Sequence, residues 1–217
     1  MAIIILTALI GLSIWLFYGY GIDKLKHPEE WSDAGKAGER AFWMRLTKDL
    51  QVPENQILRN VYIPTKNGKT SEIDLMAISK KGIFVFECKN YGGNIYGDAR
   101  KKNWIQYIGK KKSYFYNPLL QNKVHCEKLK EYLGGDIGDV PIISMVGTVQ
   151  RGNWKVKNMG ENDYLLGYNC HFKDVYNSLP ICDDVAKYYK TIFAKLRSLE
   201  RPGEEIKKQH IKNIKRM

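Results

Sequence analysis

Two acids and a lysine stand where strands rarely carry charge. Asp74 interrupts the apolar run Ile73–Ile78, and Glu87-Cys88-Lys89 closes the run Gly82-Ile83-Phe84-Val85-Phe86. An unpaired charge on a buried face is costly, so such placements need a partner. Side chains alternate across a strand, so Glu87 and Lys89 share a face, while Cys88 turns away and offers that face only its backbone carbonyl. Asp74 approaches Glu87 when its strand is the antiparallel neighbour. Two carboxylates and one carbonyl suit Mg2+ or Mn2+, with water filling the remaining positions. A lysine beside such an ion holds a phosphate oxygen or positions an attacking water. The combination lowers the water's pKa and offsets the charge of a pentavalent phosphate. The competing reading of Asp74, Glu87 and Lys89 is a structural ion pair on a sheet edge.

The elements that must position these groups can be read around them. Asp33 caps a helix running to about Leu50, in which Glu39, Phe42, Trp43, Leu46 and Leu50 share one stripe. Glu39 thereby lies on the apolar side and can bring a third carboxylate, as a ligand or as a partner to bound water. Strands are predicted over 57–63, 71–79 and 83–89, joined by short turns into an antiparallel meander. A glycine-rich loop follows over 90–97, with a short extended piece. A hairpin spans Trp104–Tyr116 around Gly109-Lys110-Lys111-Lys112. Asn117-Pro118 opens a helix to about Leu133, placing Gln121 and His125 on one face. Gln121 faces the acids on this reading, and His125 is a packed or solvated histidine. A buried strand is predicted over 140–149, a short one at 164–167, a helical turn at 172–179 and a helix over 183–199. Residues 204–217 read as a basic, frayed or partly helical tail.

The 217 residues carry a formal charge of +12, which favours a polyanionic partner, nucleic acid or an acidic membrane surface. Lys101, Lys102, Lys110, Lys111 and Lys112 interleave with Tyr96, Trp104, Tyr107, Tyr114 and Tyr116. Basic residues among aromatics can grip a backbone and stack bases. The plainer alternative is a solvated hairpin with core aromatics. The four cysteines form no CxxC pair, which argues against a zinc ribbon or a disulfide framework. Cys88 reads as a buried thiol. Ala2–Ile22 contains no charged residue and, at ~1.5 Å per residue, spans roughly 30 Å, one hydrocarbon core. It lacks the basic start and small-residue exit of a cleaved signal peptide. Residues 1–22 are therefore expected to be a transmembrane anchor and 23–32 a juxtamembrane linker. Every Lys and Arg follows the anchor, which places the remaining domain on the cytoplasmic face of the cell membrane.

Gly35-x-x-Gly38-Glu39, Glu72-Ile73-Asp74 and Gly82-Ile83-Phe84-Val85-Phe86-Glu87-Cys88-Lys89-Asn90-Tyr91-x-Gly93-x-Ile95-x-Gly97 together resemble the nuclease-related domain, NERD. Trp104 and Asn117-Pro118-Leu119-x-Gln121-Asn122-x-x-His125 extend the likeness, which covers about residues 33–134. The resemblance implies the PD-(D/E)xK restriction-endonuclease-like superfamily, an α/β fold with a central mixed sheet flanked by helices. Residues 135–200 would complete that domain, and 201–217 form the basic tail. It also implies Mg2+- or Mn2+-dependent hydrolysis of DNA, with RNA as the alternative. Asp74, Glu87 and the Cys88 carbonyl would bind the metal, Lys89 would be the catalytic lysine, Glu39 the helix acid and Gln121 the polar residue of the active-site helix. Ile73 stands where the superfamily has proline before the first acid. Duplex cleavage by a one-site nuclease would favour a homodimer. The competing functions are nucleic-acid binding without turnover and a membrane-surface interaction protein.

Overall fold

The computed structural model describes residues 23–26, 28–31, 33–49, 53–150, 152–167, 172–200 and 202–214. The expected anchor over 1–22 lies outside them. Among the described residues no helix is long and apolar enough to cross a membrane.

Asp33 caps helix α1 (Ala34–Asp49), its Oδ1 accepting the Lys36 N–H at 2.9 Å. Phe42 and Leu46 of the predicted stripe are buried. Strands β1 (Ile57–Pro64), β2 (Thr70–Ser79) and β3 (Gly82–Lys89) form the expected antiparallel meander. After a hairpin and a helix, β7 (Ile142–Thr148) lies parallel to β3, and β9 (Tyr164–Leu166) adds parallel to β7. The five-stranded order is β1-β2-β3-β7-β9. Strands this continuously apolar must be covered on both faces. One face carries α1 and α3 (Phe172–Ser178), through Phe42, Leu46, Phe84, Phe86 and Phe172. The other carries α2 (Pro118–Leu133) and α4 (Asp183–Arg197), through Val85, Leu129, Leu133, Ile192 and Leu196.

In place of a single central sheet, the chain builds two mixed sheets flanked by helices. The loop expected over 90–97 is largely strand β4 (Gly93–Asp98), pairing with β5 (Asn103–Ile108), which pairs with β6 (Lys111–Tyr116). The fourth strand, β8 (Gly152–Lys157), lies parallel to β4 in a region with no strand expected. It forms because Trp154 and Val156 alternate with Asn153, Lys155 and Lys157, burying one side only. The adjacent parallel strands β3 and β7 thus lead, after short connections, into the adjacent parallel strands β4 and β8.

The basic tail, expected to be frayed or partly helical, carries helix α5 (Glu204–Ile214), and residues 215–217 lie outside the described set. His210 is buried, bonds Thr70 at 2.8 Å and meets the Tyr62 ring edge-to-face. These contacts hold the helix on β2.

Candidate functional site

The antiparallel pairing of β2 with β3 ends at Leu75↔Phe86, so the next facing positions, Asp74 and Glu87, open out of the ladder. On the other side of β2, the flanking pairs Arg59↔Leu75 and Val61↔Ile73 leave Asn60 facing Asp74. Asn60 adopts a left-handed φ of 49°. Side chains exchange faces here: Leu58 and Val61 share one core, as do Ile73 and Met76, although strict alternation would separate each pair. Both strands turn over together at Asn60 and Asp74, and the register survives. The turnover lets an acid leave an otherwise apolar strand without shifting the pairing.

The Asp74 carboxylate fills the opening and accepts the Cys88 N–H at 2.8 Å. Burial pushes its pKa well above the carboxylate range, and the charges of Glu87 and Glu39 push it further. Glu87, only 2% exposed, meets Lys89 Nζ at 2.6 Å and His125 Nε2 at 3.3 Å through its two oxygens. Burial works against its carboxylate, but the His125 hydrogen bond and the Lys89 charge outweigh it and hold the pKa low. Burial also opposes the Lys89 ammonium, and Glu87 reverses the balance, so Lys89 stays firmly charged. One acid is thus held toward its protonated form, beside a second kept ionised.

Helix α2 supplies the lid of this arrangement. Asn117 caps it by accepting the Leu119 N–H at 2.9 Å, and donates to the Lys101 carbonyl at 2.8 Å. Asn122, fully buried, donates to the Val85 and Met145 carbonyls at 2.9 and 3.0 Å, pinning the helix over β3 and β7. Gln121 is thereby presented to the site, its Oε1 accepting from Lys89 Nζ at 3.2 Å. His125, expected to be packed or solvated, is packed, its side chain 15% exposed. It bridges Glu87 to Ser71 Oγ, 2.8 Å from Nδ1. A neutral ring that donates from Nε2 to Glu87 accepts the Ser71 hydroxyl at Nδ1. Its spacing of four from Gln121 was the available signal. Asn122 stood in the quoted motif without a role, and Asn60 and Ser71 gave no signal, because the roles of all three depend on contacts distant in sequence.

Glu39 enters from α1. Asn60 Nδ2 donates to it at 3.2 Å, while burial raises its pKa despite that bond. Its position requires α1 to lie close to the strand end: a Cβ on Gly38 would stand 2.6 Å from the Asn90 Cβ. Cys88 packs its side chain into the α1-facing core, and burial pushes its thiol pKa up, an inert environment for a nucleophile.

Among the described residues, no three acidic, histidine or cysteine side chains gather as a ready metal cage. The donor set nevertheless fits a small hard cation that keeps most of its water. Asp74 and Glu87 lie buried side by side, and burial first, then the charge of Glu87, holds Asp74 toward its neutral form. The five lysines expected to bind nucleic acid are exposed but do not form one cluster. Lys101 and Lys102 lie before β5, at the Asn103↔Tyr116 end of the hairpin, whereas Lys110, Lys111 and Lys112 lie at its Ile108↔Lys111 end. Trp104 is fully buried, but Tyr96, Tyr114 and Tyr116 are exposed. A cavity of about 790 Å3 lies elsewhere, between α2 and the start of β7, and shares no residue with the acids.

A buried acid–ExK set at a strand end, lidded by a polar helix, defines a nuclease-related class of domain. The chain belongs to the nuclease-related domain family, whose model matches residues 34–149. It is also 34% identical over 193 residues to an uncharacterized protein of Bacillus anthracis, covering 87% of this chain and 86% of that one. No solved structure matches it.

Proposed function

We propose that the chain is a membrane-anchored, Mg2+- or Mn2+-dependent nuclease of restriction-endonuclease-like fold, hydrolysing phosphodiester bonds of DNA or RNA. The observation that carries this reading is the opening of the β2–β3 ladder at Asp74, which sets its acid beside Glu87 and Lys89. Asp74, Glu87 and the Cys88 carbonyl would hold the metal, which supplies an activated water and charge compensation at the phosphate. Lys89 holds a phosphate oxygen electrostatically, and Gln121 orients the lysine. His125 and Ser71 fix the Glu87 carboxylate. Glu39 orders bound water from the α1 side. The uncharged run Ala2–Ile22 supports the anchor, and the +12 charge supports a nucleic-acid partner.

The test is cleavage of plasmid and single-stranded DNA by the purified chain with Mg2+ or Mn2+. Lys89→Ala or Asp74→Asn should abolish it, and retained cleavage in either variant refutes the assigned site. A second reading, binding without turnover, is favoured by one feature: both Glu87 oxygens are already engaged. Salt-dependent binding with no metal-dependent cleavage would establish it.

A further inference from the structure

Among the described residues, no element covers one face of the four-stranded sheet. Its inner face packs Ile95, Trp104, Phe115 and Trp154 against Leu119 of α2 and Val146 of β7. The outer face follows from the register. Tyr96 pairs with Ile105 and Ile105 with Tyr114, while Tyr107 pairs with Lys112 and Asn103 with Tyr116. Across the other edge, Tyr96 pairs with Lys155 and Asp98 with Lys157. Alternation therefore puts four tyrosines and three lysines on the same side.

The tyrosines are not satisfying a core. Tyr114 is 65% exposed, Tyr96 42% and Tyr116 41%. Aromatic side chains of this size normally bury most of their surface, so a flat exposed group of them marks a contact surface. Lys112 stands 5.0 Å from the Tyr114 ring and 5.9 Å from the Tyr107 ring, and Lys155 5.7 Å from the Tyr96 ring. Ammonium groups beside rings combine phosphate attraction with stacking. The face has one acid, Asp98, and its carboxylate is taken by the Arg100 N–H and Asn158. The net field is positive. Tyr114 and Tyr116, two residues apart on one strand, stand about 7 Å apart, which leaves each ring room for its own base.

We propose that this face is a stacking platform for single-stranded nucleic acid. Duplex hides its base faces inside the stack and presents phosphates and base edges, so it gives the tyrosine rings nothing to stack on. An acidic lipid surface would use the lysines but offers no flat group to stack on rings set out singly along a strand. The platform also lies where a strand could reach the acids. Three residues separate β3's terminal Lys89 from β4, and Thr148, paired with Lys89, leads into β8. The proposal deepens the nuclease reading by naming a single strand as what the site receives.

The experiment measures binding of a fluorescein-labelled oligo(dT) 12-mer, and of a duplex of equal length, to the full chain in mild detergent. EDTA is present throughout, so neither metal nor turnover enters. Single strand should bind more tightly than duplex. Tyr114→Ala and Tyr96→Ala, both at exposed rings, should each weaken single-strand binding roughly fivefold or more and leave duplex binding nearly unchanged. Lys112→Gln and Lys155→Gln should each lower the slope of log affinity against log salt by about 0.7. Circular dichroism confirms that each variant is folded. Equal affinity for single strand and duplex, or tyrosine variants that bind as the parent does, overturns the proposal. Either result leaves the hydrolytic site standing, and a chain that binds but never cleaves leaves the platform standing.

Discussion

Replacing Lys89 by alanine tests the centre of the site through stability, independently of catalysis. The Lys89 ammonium sits 2.6 Å from Glu87, whose side chain is 3% exposed while the lysine's is 18%. Removing one partner of a buried pair leaves the other charge uncompensated, a loss of about 3–5 kcal/mol. Here His125, 3.3 Å from the second Glu87 oxygen, retains part of the compensation. The lower end, about 3 kcal/mol, is therefore expected. In a chain of this size that lowers the thermal midpoint by roughly 6–12 °C. Glu87→Gln should cost less, because the amide still accepts from His125 or Lys89. The double variant should recover part of the Lys89→Ala loss, with a coupling energy of about 1–3 kcal/mol. The assay is unfolding followed by far-UV circular dichroism at pH 7, with all four proteins in one buffer. A Lys89→Ala midpoint within one degree of the parent, with no coupling to Glu87→Gln, would show that the pair is not buried, and the geometry of the site would be wrong.

Asp74→Asn should abolish cleavage and yet stabilise the protein at neutral pH. The folded pKa of Asp74 is raised, so its favourable protonated form is fully present below about 3.9, the unfolded value, and is lost as pH rises through the folded pKa. Asparagine keeps the neutral form, so its advantage in thermal midpoint should grow from pH 4 to pH 8; a shrinking advantage contradicts the raised acid. For the same reason Mg2+ or Mn2+ binding should expel a proton, read calorimetrically as a heat that changes with the buffer's ionisation enthalpy. Uptake that is independent of buffer would contradict Asp74 as the protonated ligand. Gly147→Ala would place a Cβ 2.3 Å from the Phe42 ring, displacing α1 and with it Glu39. It should cost about 1–3 kcal/mol and reduce cleavage; an unchanged midpoint would mean that α1 does not pack there.

Much of this molecule is legible along the chain because its signals are local. Two-residue alternation ties Glu87 to Lys89 and turns Cys88 inward, and the short turns dictate the β1–β2–β3 meander. Asn117-Pro118 announces α2, and a spacing of four places Gln121 and His125 together. The Asp33 cap and the Phe42–Leu46 stripe announce α1. Alternation was also present in Asn153–Lys157, but a half-polar strand is recognisable only beside its partner, and β4 is far away in the chain. The lysines and tyrosines were visible as a mixture. Sorting them into a buried Trp104, an exposed tyrosine face and two separated lysine groups required the register.

Residue type and period are enough to state that Asp74, Glu87 and Lys89 belong to one acid–lysine set on neighbouring strands. They are silent on what keeps that set together. The turnover at Asn60 and Asp74, the Cys88 N–H held by Asp74 and the His125 bridge to Ser71 join residues from separate segments, and folding alone brings them into contact. The pKa of each acid follows the same division. A carboxylate's charge is a property of its surroundings, and burial with a like-charged neighbour is created only when the strands, α1 and α2 close around it.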